Sequence, residues 1–196
     1  MMMKKACIIF VLLLILAPAA GAAVVSGVTL PDTITVEGQQ LVLNGAGMRE
    51  KKFLVVPVDV YVAGLYLKSK TSAAQAIIDA DETMMLKIQI VSSHLTAEKF
   101  KNATLEGFQE STGGNTGPIQ KEIDLFMKAF AEEIKQGDVF DIQYVKDKGV
   151  LVYKNGKTTP EVLVPGLNVK KALFGIWLGK RTESYLQVLA TKLLGK

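Results

Sequence analysis

The chain has 196 residues, 49% of them hydrophobic, with 23 lysines and arginines against 19 aspartates and glutamates, one cysteine and one histidine. Charge this close to balance gives no electrostatic ground for a nucleic-acid partner. A lone cysteine excludes an intramolecular disulfide or a cysteine-built metal site, and a lone histidine, His94, excludes an H-E-x-x-H zinc site.

The first residues are Met1-Met2-Met3-Lys4-Lys5, followed by an apolar run from Ala6 to Leu16 and then the small residues Ala17-Pro18-Ala19-Ala20-Gly21-Ala22-Ala23. A basic start, a short apolar stretch and small residues read as a secretory signal over residues 1–23, cut near Ala22 or Ala23. The apolar run is too short for a bilayer span, which needs roughly twenty residues. The expected mature chain is one domain over residues 24–196, periplasmic, without Cys7, near +2 in net charge and without a membrane span.

Thr33 to Val36 and Gln40 to Leu43 flank Glu37-Gly38-Gln39 and predict a hairpin. Gly45-Ala46-Gly47 predicts a turn before a strand region from Phe53 to Leu67, within which Pro57, unable to donate to a ladder, should mark a bend, bulge or edge position. Ser72 with Gln75 forms a capping-box pattern ahead of a helix through Ile78, and Met84 to Val91 alternates as a strand does.

Thr96 is the expected N-cap of a helix carrying Phe100, Ala103, Thr104, Gly107 and Phe108 at helical spacing on one stripe. Past the breaker from Thr112 to Gly117, Pro118 opens a second helix, with Ile119, Ile123, Phe126, Phe130 and Ile134 three or four apart and Gly137 as its stop. Val139 to Val145 and Val150 to Lys154 return to strand, Asn155-Gly156 is a hairpin signal, and Glu161 to Val164 adds a short strand. Two helices close the chain, one capped by Asn168 and ending at Gly179, the other from Ser184 to Leu194, ending at Gly195. Strands grouped apart from helices fit an α+β domain, with an antiparallel sheet and helices layered on one face, better than a doubly wound sheet.

Gly45-Ala46-Gly47 invites a nucleotide-loop reading, which fails because Glu50 stands where the third glycine of G-x-G-x-x-G belongs and a strand follows where a helix is required. Arg49 is the more interesting residue: its planar fork can hold a carboxylate or an enolate-like oxygen, and Tyr61 and Tyr66 can supply hydroxyls along an apolar wall. His94, between strand and helix, reads first as a structural residue, its functional alternatives being a ligand to an iron porphyrin or a pH-sensitive contact.

Gly45-Ala46-Gly47-Met48-Arg49, followed by Val60-Tyr61-Val62-Ala63-Gly64-Leu65-Tyr66-Leu67 and later by Ala172-Leu173-Phe174-Gly175-Ile176-Trp177-Leu178-Gly179-Lys180, resembles the chalcone isomerase family, in particular its exported bacterial branch. The resemblance implies an open-faced β-sandwich with a ligand cleft between sheet and helices. It also implies one of three kinds of member: intramolecular lyases that close a chalcone to a flavanone, fatty-acid binders, or other non-catalytic or uncharacterised forms. Arg49 matches the family arginine, which stabilises an enolate in the enzymes and pairs with a carboxylate in the binders. Tyr61 stands where the enzymes carry a threonine, Thr96 and Ala103 where they carry a tyrosine and an asparagine, and Glu161 or Val162 near a selectivity position. With only the arginine plainly retained, a catalytic set is not assembled, since an oxyanion needs several preorganised donors. The expectation is therefore binding of a small apolar ligand with an acidic or enolate-like head at Arg49, Tyr61 and Thr96, without a cofactor. The alternatives are an isomerase using Arg49 and a haem binder using His94.

Overall fold

The structure, a computed structural model, describes residues 21–53, 56–180 and 183–196. Residues 1–20, and with them most of the expected signal, lie outside the described residues. Among the described residues, strands and α-helices follow in the order β1 (Ala22–Val25), β2 (Val28–Pro31), β3 (Thr33–Val36), β4 (Gln39–Phe53), β5 (Val56–Leu67), α1 (Ala74–Asp79), β6 (Met84–Ile90), α2 (Ala97–Ser111), α3 (Gln120–Met127), β7 (Val139–Val145), β8 (Gly149–Lys154), β9 (Val162–Val164), α4 (Leu167–Leu178) and α5 (Ser184–Leu193). Strands β3 to β9 make one antiparallel sheet in sequential order, and β1 and β2 pair as a separate ribbon. The sheet is open, and the class is α+β as expected.

Strand alternation divides the sheet into two apolar faces. Tyr61, Ala63, Leu65, Leu86, Ile88, Phe140, Ile142, Val150 and Val152 face the main core with residues of all five helices, among them Phe108, Phe126, Leu173, Trp177 and Leu189. Val62, Tyr66, Met85 and Leu151 face a smaller core closed by Val28 and Leu30 of the ribbon. Tyr66 is fully buried in that second core, where its hydroxyl has no hydrogen-bond partner among the described residues, so it belongs to the face away from the helices and away from Arg49.

Three local expectations are corrected. Gly45-Ala46-Gly47 is not a turn but the middle of the fifteen-residue strand β4. The glycines serve approach rather than reversal: a Cβ on Gly45 would overlap the Lys192 carbonyl oxygen and stand 2.6 Å from that of Leu193, so α5 lies directly on the strand. The extra residue there is Asn44, where the β4–β5 register shifts; its amide donates to Leu193 O at 2.7 Å and accepts from Thr71 N at 2.7 Å. The capping box at Ser72 does not form, since α1 has Ala73 as N-cap without a side-chain bond, and Thr71 Oγ1 takes the Ala73 N–H instead. Gly166, not Asn168, is the N-cap of α4.

The helix opened by Pro118 is shorter than its apolar spacing implies, ending in a 3-10 turn at Phe130, although Ile134 is buried as the spacing requires. Asn155-Gly156 does turn with positive φ at both residues, but the chain returns to β8 only at Glu161 and Val162, and Asn155 is engaged backwards, its Oδ1 accepting from Val139 N and its Nδ2 donating to Asp138. Pro57 sits opposite Lys52, in the stretch of β5 that pairs with β4 alone, an edge position as expected.

The main core also contains a cation. Lys170 of α4 is fully buried, and its ammonium donates to the carbonyls of Ile77, Ile78 and Ala80 at 2.7, 2.9 and 2.7 Å, closing the end of α1. The rings of Tyr144 and Phe174 lie 5.5 and 5.3 Å from it. Burial, assisted by the Lys171 charge, pushes its pKa down to about 8. This lysine was not singled out from the sequence, although it falls three and four residues before Leu173 and Phe174 and so shares their face.

Candidate functional site

Gly45, Gly47 and Arg49 share one face of β4 by alternation, so the side that admits α5 also carries the arginine towards the helices. Arg49 pairs with Tyr61 across the β4–β5 ladder, and the register shifts just beyond, where Val60 is the extra residue. A bulge beside a site re-aims the side chains around it. Val60 O is turned to accept from both Val91 N and Ser92 N at the end of β6.

Arg49 is buried, with 7% of its surface exposed. Nη1 donates to Glu50 O, and Nη2 donates to both carboxylate oxygens of Glu183, at 2.8 and 2.7 Å. Glu183 stands immediately before α5. The guanidinium expected to hold a ligand head therefore holds the chain's own carboxylate.

Tyr61 is buried beside this pair. Trp177 Nε1 of α4 donates to its hydroxyl at 2.8 Å. Burial raises the Tyr61 pKa, with Arg49 and Trp177 pulling the other way and Glu183 adding to the rise. The oxygen accepts from Trp177 while burial holds the proton on it, so Tyr61 is fitted to donate. Phe100 of α2 packs edge-on against the Tyr61 ring with centroids 6.3 Å apart, and continues through Phe130 and Phe140 as the apolar wall.

The structure thus brings Arg49 and Tyr61 together and adds Trp177 and Glu183, which sequence reasoning missed as site residues. Trp177 was legible as core, from its helical stripe, but its bond to Tyr61 spans 116 positions. Glu183 carried no local signal. Thr96 is exposed and caps α2, its hydroxyl oxygen accepting from Lys99 N at 3.2 Å, and Ala103 is exposed on the same helix. The inward hydroxyl of α2 is that of Thr104, which donates to Phe100 O at 2.8 Å. His94 is exposed, with its backbone N–H on Ser92 Oγ. Glu161 pairs with Lys157 at 2.7 Å, and Val162 is buried in the main core.

Two grooves open elsewhere, one of about 480 Å³ among α1, α2 and α4 and one of about 210 Å³ around Pro118 and Asn168. Neither is lined by Arg49, Tyr61 or Thr96. Among the described residues no group of three or more His, Cys, Asp or Glu could hold a metal ion, and no helix is long and apolar enough to cross a membrane.

The crystal structure of an Arabidopsis thaliana fatty-acid binding protein is similar to this one, with a TM-score of 0.71 at 17% sequence identity, over 89% of this chain and 96% of that one. At that identity the likeness shows the fold. No curated protein matches the sequence. The family model described as chalcone isomerase-like matches residues 22–195, so nearly the whole described chain, with its open antiparallel sheet and helical layer, belongs to the chalcone isomerase-like family.

Proposed function

We propose that this protein binds an apolar carboxylate such as a fatty acid without converting it, with Arg49 anchoring the head and Tyr61 donating to it. The observation that carries this reading is the buried guanidinium of Arg49 holding a carboxylate on Nη2, beside a hydroxyl with a proton to give and next to an aromatic wall. A charged head fixed by a few polar groups against apolar side chains is the ordinary chemistry of a lipid site. The similar Arabidopsis protein is described as a fatty-acid binder, which supports the same class of ligand. On this reading residues 1–23 export the chain, and it works in the periplasm.

The test is thermal unfolding of the wild type and of Arg49→Gln with sodium decanoate, together with native mass spectrometry of protein purified from its own host. A ligand that binds only the folded state must raise its stability. The wild type should melt higher with decanoate, Arg49→Gln should not, and a long-chain acid should co-purify. Equal responses of the two proteins, with no acid carried through purification, would refute the reading.

A further inference from the structure

The carboxylate that Arg49 holds and the guanidinium that holds it are not equally fixed. The Arg49 side chain is 8% exposed and the Glu183 side chain 39%. Arg49 is tied to β4 by its ladder with Tyr61 and by Nη1 on Glu50 O. Glu183 makes no side-chain cap bond to α5, so the helix start does not hold its carboxylate in place.

The bond is also of the weaker form. Both Glu183 oxygens share the single nitrogen Nη2, whereas the strong arrangement is two parallel N–H donors on two oxygens. A carboxylate already partly in water loses little on turning outward. The buried guanidinium has no such recourse, and a buried charge needs a partner.

We propose that Glu183 is an internal occupant of the acid seat and a specificity-determining residue: an incoming carboxylate binds Arg49 by replacing that of Glu183. This rests on the reading that Arg49 anchors an acidic ligand. Exchange selects for anions, because an alcohol or ester head offers the guanidinium no charge in return for the one displaced. It also weakens the apparent affinity, since the binding-competent state is only that fraction of molecules in which Glu183 has left.

The experiment compares wild type, Glu183→Gln, Glu183→Ala and the double variant Arg49→Gln/Glu183→Ala. Its probes are sodium acetate, sodium decanoate and decanol as a neutral control, read by thermal unfolding and calorimetric titration. Glu183→Ala should melt below wild type, acetate should restore part of the loss, and the double variant should ignore acetate. Glu183→Gln should bind decanoate about tenfold more tightly than wild type, with decanol unchanged, because its competent state is no longer depleted.

If wild type binds decanoate through Arg49 and Glu183→Gln binds it no more tightly, the exchange proposal fails while the binding function stands. If decanoate binds none of the proteins but acetate still rescues Glu183→Ala through Arg49, the seat stands and the apolar-acid reading falls. If acetate leaves Glu183→Ala unmoved, there is no seat for an external carboxylate and the proposal is overturned. Should Glu183→Ala not fold, the decanoate affinity of Glu183→Gln decides alone, a rise supporting exchange and an equal value overturning it.

Discussion

Trp177 Nε1 donates to the Tyr61 hydroxyl at 2.8 Å, joining α4 to β5 beside Arg49. Trp177→Phe keeps an aromatic ring in the core and removes the donor. Losing one buried partner costs about 1–3 kcal/mol, to be read as a lower urea midpoint. Tyr61→Phe should cost a similar amount, and the double variant much less than the sum, since the two changes remove the same bond. Strict additivity in that cycle would show that the bond contributes nothing.

Gly45→Ala tests the close approach of α5 to β4. The new methyl would meet the carbonyl oxygens of Lys192 and Leu193, and backbone cannot swing aside as a side chain can. Overpacking costs roughly 1–3 kcal/mol, occasionally more, and this site belongs at the upper end. Denaturant unfolding gives the magnitude, and hydrogen exchange should show lost protection concentrated in α5. Unchanged stability would mean that the helix is not seated on the strand.

Lys170→Met removes the donor shared by the carbonyls of Ile77, Ile78 and Ala80. Stranding buried acceptors costs about 1–3 kcal/mol for each group left unsatisfied, reduced where water can enter, so a loss of several kcal/mol at pH 7 is expected. The pH dependence has a definite sign. Burial lowers the folded pKa to about 8 from an ordinary 10.5, so between those values the unfolded chain binds more protons than the folded one. Wild-type stability relative to Lys170→Met should therefore rise as pH is raised from 8 towards 10.5. Urea midpoints of both proteins across that interval check it; a falling difference would mean that the ammonium is favoured by its carbonyls more than burial disfavours it.

Thr96→Ala removes the N-cap bond to Lys99 N. The expected loss is about 1 kcal/mol in stability, with decanoate affinity unchanged because the hydroxyl is exposed and occupied by its own helix. Weakened decanoate binding at unchanged stability would return Thr96 to the ligand, in the role that the family resemblance implies.

Periodicity in the sequence was enough for the strands and helices that pack by simple alternation, as β6, α2 and α5 show. It misread Gly45-Ala46-Gly47 because a glycine that admits a neighbouring helix looks the same in one dimension as a glycine that turns the chain. It placed Asn168 at a cap that Gly166 takes, since polar residues near a helix start are interchangeable without coordinates.

Composition and order in the chain determined the α+β class and the antiparallel sheet with its helical layer, but not the pairing of Arg49 with Tyr61, because the strand that carries Arg49 reads as a turn in the sequence and register needs both strands. What occupies Arg49 was decided only in three dimensions. Glu183 reaches it across 134 positions, through a helix docked on two glycines of β4. No local pattern encodes a contact of that separation; it exists because β4 admits α5 and thereby brings a carboxylate to a buried cation.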